Sequence, residues 1–221
     1  MSGQRVLERR RDLSPADMFV AVEIAPTGTV RWLESVPSQR PGVYVVSLHA
    51  DPNDGSGLVS APLDSDVLGR WLDQCPGLTV DSIKVGVDAL RSHIAQWWLP
   101  STSILYVGKA QDQSLHDRVD QYYSTALGKR SPHGGGYWLK TLGVLGHVTI
   151  HYAETAGDRS PGDFEDDLLN AFPLLIGNPP QIHPEPALPL PWVNLQVDRP
   201  PPRRRRDHRL PSLRDQMRPR G

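Results

Sequence analysis

The sequence predicts a protein of the α/β (α+β) class: a small three-stranded, mainly antiparallel sheet flanked by helices. Two short apolar runs carry this expectation. They are "GVYVVSL" at residues 42–48 and "ILYVGKA" at 104–110, each rich in strand-forming residues and bounded by turn chemistry. A third run, "HVTIHYAET" at 147–155, alternates polar and apolar residues as a half-buried strand does. The stretches between them carry apolar residues at helical spacing, so helices cover the sheet.

Taken in order, residues 1 to about 16 are charged and loose, and "DMFVAVEIA" reads as a strand followed by a second apolar piece, "GTVRWLESV". The turn cluster "PSQRPG" leads into the first core strand. Residues 49–103 read as an insertion between the first two core strands. It opens with the loop "HADPNDGSG" and continues with helices near "SDVLGRWLDQC" and "VDALRSHIAQWW". After the second strand, Leu115, Val119, Tyr122, Tyr123 and Ala126 fall on one helical face, with Ser114 as N-cap and Gly128 as stop. "SPHGGGYWLKTLG" is a glycine-rich loop opening a short helix. "SPGDFEDDLLNAF" has a Ser160 cap, Pro161 in the first turn, and an apolar face of Phe164, Leu168, Ala171 and Phe172. Residues 173–191 are rich in proline and read as loop, and "PWVNLQ" closes the fold. The "RPPPRRRR" segment onward reads as disordered. The implied organisation is an N-terminal extension (1–40), a core domain (41–197) containing the 49–103 insertion, and a Pro/Arg-rich tail (198–221).

Composition limits the function. No run approaches the roughly 18 apolar residues of a membrane helix, and the basic start lacks the apolar core of a secretory signal. The single cysteine, Cys75, excludes an internal disulfide and a cysteine-based zinc site. A cytoplasmic protein without membrane contact is expected. The net charge of −1 hides an asymmetry: residues 198–221 hold nine Arg and three Asp (+6), leaving −7 on the rest. Such an arm suits an anionic partner, or serves as a solubilising end. The insertion has seven Asp against three Lys/Arg (−4), which points to a protein partner or a lid, not a DNA grip. Residues 104–140 are net +2, with five Lys/Arg and three Asp.

Gly42-Val43-Tyr44 followed by Tyr106-Val107-Gly108, each on a strand, resembles the GIY-YIG nuclease superfamily. "YVGKA" and the helix behind it resemble the nuclease domain of the bacterial excision-repair incision subunit. The resemblance spans roughly residues 41–196 and implies a divalent-metal-dependent endonuclease that hydrolyses DNA phosphodiester bonds. It implies Arg118 as the family arginine, Glu165 as the ligand of a single Mg²⁺ or Mn²⁺, and Asn194 in the closing segment. Asn178 competes for that last role on spacing. Tyr122 stands where many members have histidine, and the long 49–103 linker departs from the family's short one.

Read as chemistry, Tyr44 would be the general base, with Tyr106 and Lys109 positioning water and phosphate and lowering its pKa. A phenol titrates near 10, so it needs neighbouring cations for that work. Arg118 borders the apolar stripe of its helix; it either covers the core with its stem or holds a phosphate as charge develops. Glu165 sits at the edge of a buried helical face, and a hard cation often takes one protein carboxylate, with water and phosphate completing its shell. Gly108 lets backbone approach a phosphate, and Tyr122 and His133 are weaker candidates for nucleic-acid contact. Each residue also has an ordinary reading: tyrosines as core, Asn194 as a turn residue, His133 as a flexible helix entry. The alternative function is a non-cleaving nucleic-acid- or protein-binding module on the same fold.

Overall fold

The computed structural model describes residues 12–129, 132, 136–177, 189–194, 196–197, 203–204 and 208–209. Its centre is a four-stranded antiparallel sheet of β1 (Gly28–Arg31), β2 (Gly42–Ser47), β5 (Ile104–Ala110) and β6 (Thr149–Glu154), in the order β1-β6-β2-β5. The fourth strand corrects the expected three. "GTVR", assigned to an extension, pairs along β6 from Gly28 opposite Tyr152 to Arg31 opposite Thr149. The segment before it is a helix, α1 (Pro15–Ala21), not the strand expected of "DMFVAVEIA". Ser14 and Asp17 form a reciprocal capping box and Pro15 occupies the first turn, and these start signals outweigh the β-branched residues that follow. The region 1–40 is thus, where described, part of the same fold.

The sheet is buried on both faces. Val43, Val45, Ile104 and Val107 point into a layer with α1 and α5 (Pro161–Ile176), where Phe19, Phe164, Leu168 and Phe172 fill the space. Helix α5 continues three residues beyond Pro173, which was expected to begin a loop; buried Phe172 and Ile176 hold its last turn in the core. Tyr44, Val46, Leu105 and Tyr106 face the other layer, which contains α4 (Leu115–Ser124) and the helices of the 49–103 segment. Those helices are α2 (Ser65–Gln74) and α3 (Val87–Ala95), in the positions expected. They are not appended to the fold. Leu68, Trp71, Leu90, Ile94, Trp97 and Trp98 belong to the main core, and the Trp192 indole donates to the Ile94 carbonyl at 3.1 Å.

A small second sheet joins the 49–103 segment to the C-terminal tail. Strands β3 (Thr79–Val80) and β4 (Ile83–Lys84) form a hairpin, and β9 (His208–Arg209) pairs with β3. In addition, β7 (Gln196–Val197) pairs with β8 (Arg203–Arg204). The described parts of the tail are therefore paired backbone and not disordered chain. Among the described residues, no helix is long and apolar enough to cross a membrane.

Candidate active site

The two tyrosine strands are neighbours, and their register explains the letters around them. Tyr44 lies opposite Gly108 and Tyr106 opposite Val46, so the two phenols are diagonal neighbours on one face. Their ring centroids are 6.0 Å apart. A bulge at Leu105 makes this arrangement: Ser47 pairs with Ile104, leaving Leu105 as the extra residue, and Leu105 and Tyr106 both join the same core layer. Strict alternation, which would set Tyr106 opposite Leu105, fails here. Gly108 is required because the Tyr44 ring tip lies over it; a Cβ there would stand 2.6 Å from the Tyr44 hydroxyl and 2.8 Å from the Tyr106 ring. Gly42 is required for a different reason. Its Cβ would come within 2.2 Å of the Ala153 carbonyl oxygen on β6 and 2.8 Å of Leu115 on α4. The glycines of both signatures thus make room for close packing, and the Gly108 cradle is filled by phenols, not by a phosphate.

The Arg118 guanidinium and the Tyr106 hydroxyl lie close enough to Tyr44 to act on its phenol. Both favour its phenolate, yet burial outweighs them, and the negative Glu165 adds to that effect. Tyr44 is fully buried and its pKa is pushed up, and burial pushes Tyr106 up as well. This corrects the expectation of a lowered Tyr44 pKa, on which its part as general base depended: burial keeps the phenol protonated beside Arg118. Tyr122 is also buried. Its hydroxyl donates to the Gly136 carbonyl and its ring packs tilted against Tyr106 with centroids 5.7 Å apart, so it is a strut in the core and not the expected nucleic-acid contact.

Arg118 leaves α4 between this aromatic layer and the solvent. It lines a cleft of about 380 Å³ together with Lys109, Gln111, Asp112 and Gln113. Its Nε is buried without a hydrogen-bond partner among the described residues, an unsatisfied donor of the kind that a bound anion would complete. A larger open groove of about 800 Å³ runs along α4 and shares Gln113 with this cleft. It lacks the cationic pair, so the smaller cleft is the better chemical candidate.

Glu165 comes from the helix on the far layer of the sheet, but it meets the phenol layer's chemistry around the β5 edge. Lys109, near the end of β5, places its Nζ 2.8 Å from the Glu165 carboxylate. Glu165 stands behind Lys109, with its side chain 17% exposed. Its charge acts on Tyr44 and Tyr106, and Arg118 acts on it in return. Burial raises the Glu165 pKa, with Lys109 pulling the other way. Four of the expected residues (Tyr44, Tyr106, Arg118 and Glu165) thus converge with Lys109 on one edge of the sheet.

Asn194 does not join them. It is buried, its side-chain oxygen accepts from the Val107 N–H at 2.8 Å, and its amide nitrogen donates to the Val107 carbonyl at 2.8 Å. With Val193 N–H bonded to the Leu105 carbonyl, these residues cover the free edge of β5 as a short strand would. The role expected in catalysis is replaced by a structural one. Asn178 and His133 lie outside the described residues. Sequence reasoning missed the polar "QDQ" at 111–113. Gln111 accepts from the Gly162 N–H at 2.9 Å, tying the cleft to the first turn of α5. The only signal was three polar residues directly after a strand.

A divalent cation would have Glu165 as its protein ligand; of the carboxylates, Asp112 lines the cleft itself and Glu165 stands behind Lys109. Among the described residues no group of three or more His, Cys, Asp or Glu could hold a metal. The donor set fits a hard cation that takes one carboxylate and completes its shell from water and phosphate, provided Lys109 gives way. Comparison with protein-family models, curated proteins and solved structures finds no match to this chain.

Proposed function

We propose that the β5-edge cleft is the active site of a metal-dependent endonuclease that hydrolyses DNA phosphodiester bonds. What carries this reading is the Arg118 guanidinium, whose buried Nε has no hydrogen-bond partner among the described residues and which lines the same cleft as Lys109. A planar cation with an unsatisfied donor, set beside a second cation in a cleft, is suited to a phosphate whose charge grows in the transition state.

The residues divide the work as follows. Arg118 binds a non-bridging phosphate oxygen, and its orphaned Nε gains a partner. Tyr44 and Tyr106 are positioning residues: they hold the guanidinium and keep water from its inner side. Lys109 leaves Glu165 when substrate enters and turns to the phosphate, a change of partner that a 36%-exposed side chain can make. A cation bound at Glu165 would supply Lewis acidity and a water of lowered pKa. Neutralising the Glu165 charge also removes one of the influences that keep the Tyr44 proton in place.

Supercoiled plasmid with Mn²⁺ is the test, with Glu165→Gln beside the wild type. Nicking by the wild type and its loss in the variant are expected; equal nicking by both, or by neither, defeats the proposal. The second reading, a phosphate-binding module without cleavage, draws on the sealing of both phenols and the Lys109–Glu165 pair. It expects DNA retention that depends on Arg118 with no nicking in any metal.

A further inference from the structure

We propose that the acidic 49–103 segment is the resting dock of the arginine-rich C-terminal arm, and that duplex DNA competes with this dock for the arm. The dock is visible in the backbone. Strand β9 pairs antiparallel with β3, placing Arg209 opposite Thr79 and His208 opposite Val80. Arg203 to Arg206 precede it in sequence, separated from it by Asp207.

The hairpin that receives β9 does not stand well by itself. Its two strands are two residues long, and an isolated two-stranded ribbon is marginal in water. The turn between them, Asp81-Ser82, has φ of 49° and 69°. These are left-handed conformations that glycine or asparagine adopts cheaply and serine does not. A third strand from the arm supplies the missing pairing. Charge favours the same arrangement: the segment is −4 and the arm +6. Asp81 directly follows β3 and Asp73 lies in the helix that leads to it; both are exposed and have no ion pair among the described residues.

The arm's guanidiniums suit phosphates as well as carboxylates. An arm laid on the segment is withheld from DNA, so the acidic charge sets how much of the arm's affinity is expressed. This competition concerns binding and does not depend on cleavage.

A double-mutant cycle in the full-length chain tests it. Asp73→Asn and Asp81→Asn together leave the fold intact, since asparagine tolerates a left-handed φ and Asp73 lies in the last turn of α2, where a negative charge is unfavourable. At low salt the pair should raise affinity for a labelled duplex by about threefold or more. With Arg203, Arg204, Arg205, Arg206 and Arg209 changed to Gln, the same Asp substitutions should change affinity much less. Trypsin should also release the arm faster from the Asp73/Asp81 variant than from the wild type. Equal gains in both backgrounds would show only a general charge effect and overturn the proposal, as would no gain with unchanged trypsin release.

Discussion

The two halves of the candidate site are built in opposite ways. On one side of the β5 edge, Tyr44, Tyr106 and Tyr122 pack with their rings tilted against one another and are closed to water. On the other, Lys109 and Glu165 form an ion pair with the lysine head open to the cleft. Arg118 joins them, acting on the Tyr44 phenol on one side and lining the cleft on the other. The contrast separates holding from reacting. Under the nuclease reading the tyrosines of the two signatures, buried in this conformation, orient a cation and do not meet substrate. The groups able to touch a phosphate are the lysine and arginine.

The contrast breaks most sharply at Arg118. Under the nuclease reading, Arg118→Ala should lower plasmid nicking by about 10²–10³-fold, the range seen when one preorganised transition-state donor is removed. Tyr44→Phe keeps the ring over Gly108 and removes only the hydroxyl, so it should cost far less, about tenfold. A pH–rate profile sharpens the comparison. If Tyr44 only positions Arg118, the profile of Tyr44→Phe keeps the wild-type shape at lower amplitude. A lost or shifted limb would restore Tyr44 as a proton-transfer group.

Next come two substitutions that test the holding half by stability. Gly108→Ala forces a methyl against both phenols and should destabilise by roughly 1–3 kcal/mol. Asn194→Ala strips the Val107 N–H and carbonyl of their partners at the β5 edge and should cost about 1–3 kcal/mol. Denaturant unfolding measures both. Nicking per folded molecule should fall for Gly108→Ala, which disturbs the Arg118 holder, and stay close to wild type for Asn194→Ala. A selective loss of cleavage in Asn194→Ala at unchanged stability would return that residue to the chemistry.

The elements that could be read from sequence are those with local start or alternation signals. Ser114 and Ser160 cap α4 and α5 as expected, and the three core strands lie in their apolar runs. The misses arise where long-range packing decides. Residues 17–21 contain Phe and Val and look like a strand, but Ser14 and Asp17 had already fixed a helix. Strand β1 gains its identity only by pairing with β6, 122 residues away at Thr29 and His151. The site shows the same division. Tyr44, Tyr106, Arg118 and Glu165 were legible as a set, but not their burial. Nothing local to "GVY" says that Gly108 will receive the ring, or that Leu105 will bulge and turn Tyr106 inward.

The smallest expected effect lies at Glu165, where burial and Lys109 pull in opposite directions. Burial is the larger influence and raises the carboxyl pKa. A carboxyl with a folded pKa above its unfolded one contributes stability that is fully present below the unfolded value and lost as pH rises through the folded value. Glu165→Gln does not titrate and loses nothing over that window. Stepped from about pH 4 to pH 8, the melting temperature of the variant should therefore gain on the wild type through the weakly acidic range, then run parallel to it. Parallel curves throughout would mean that burial and the ion pair cancel. A variant that falls behind as pH rises would mean that Lys109 outweighs burial, and the pair would then be a structural clamp that no cation or phosphate easily opens. The sign of this small difference thus decides whether the open half of the site is free to change partners.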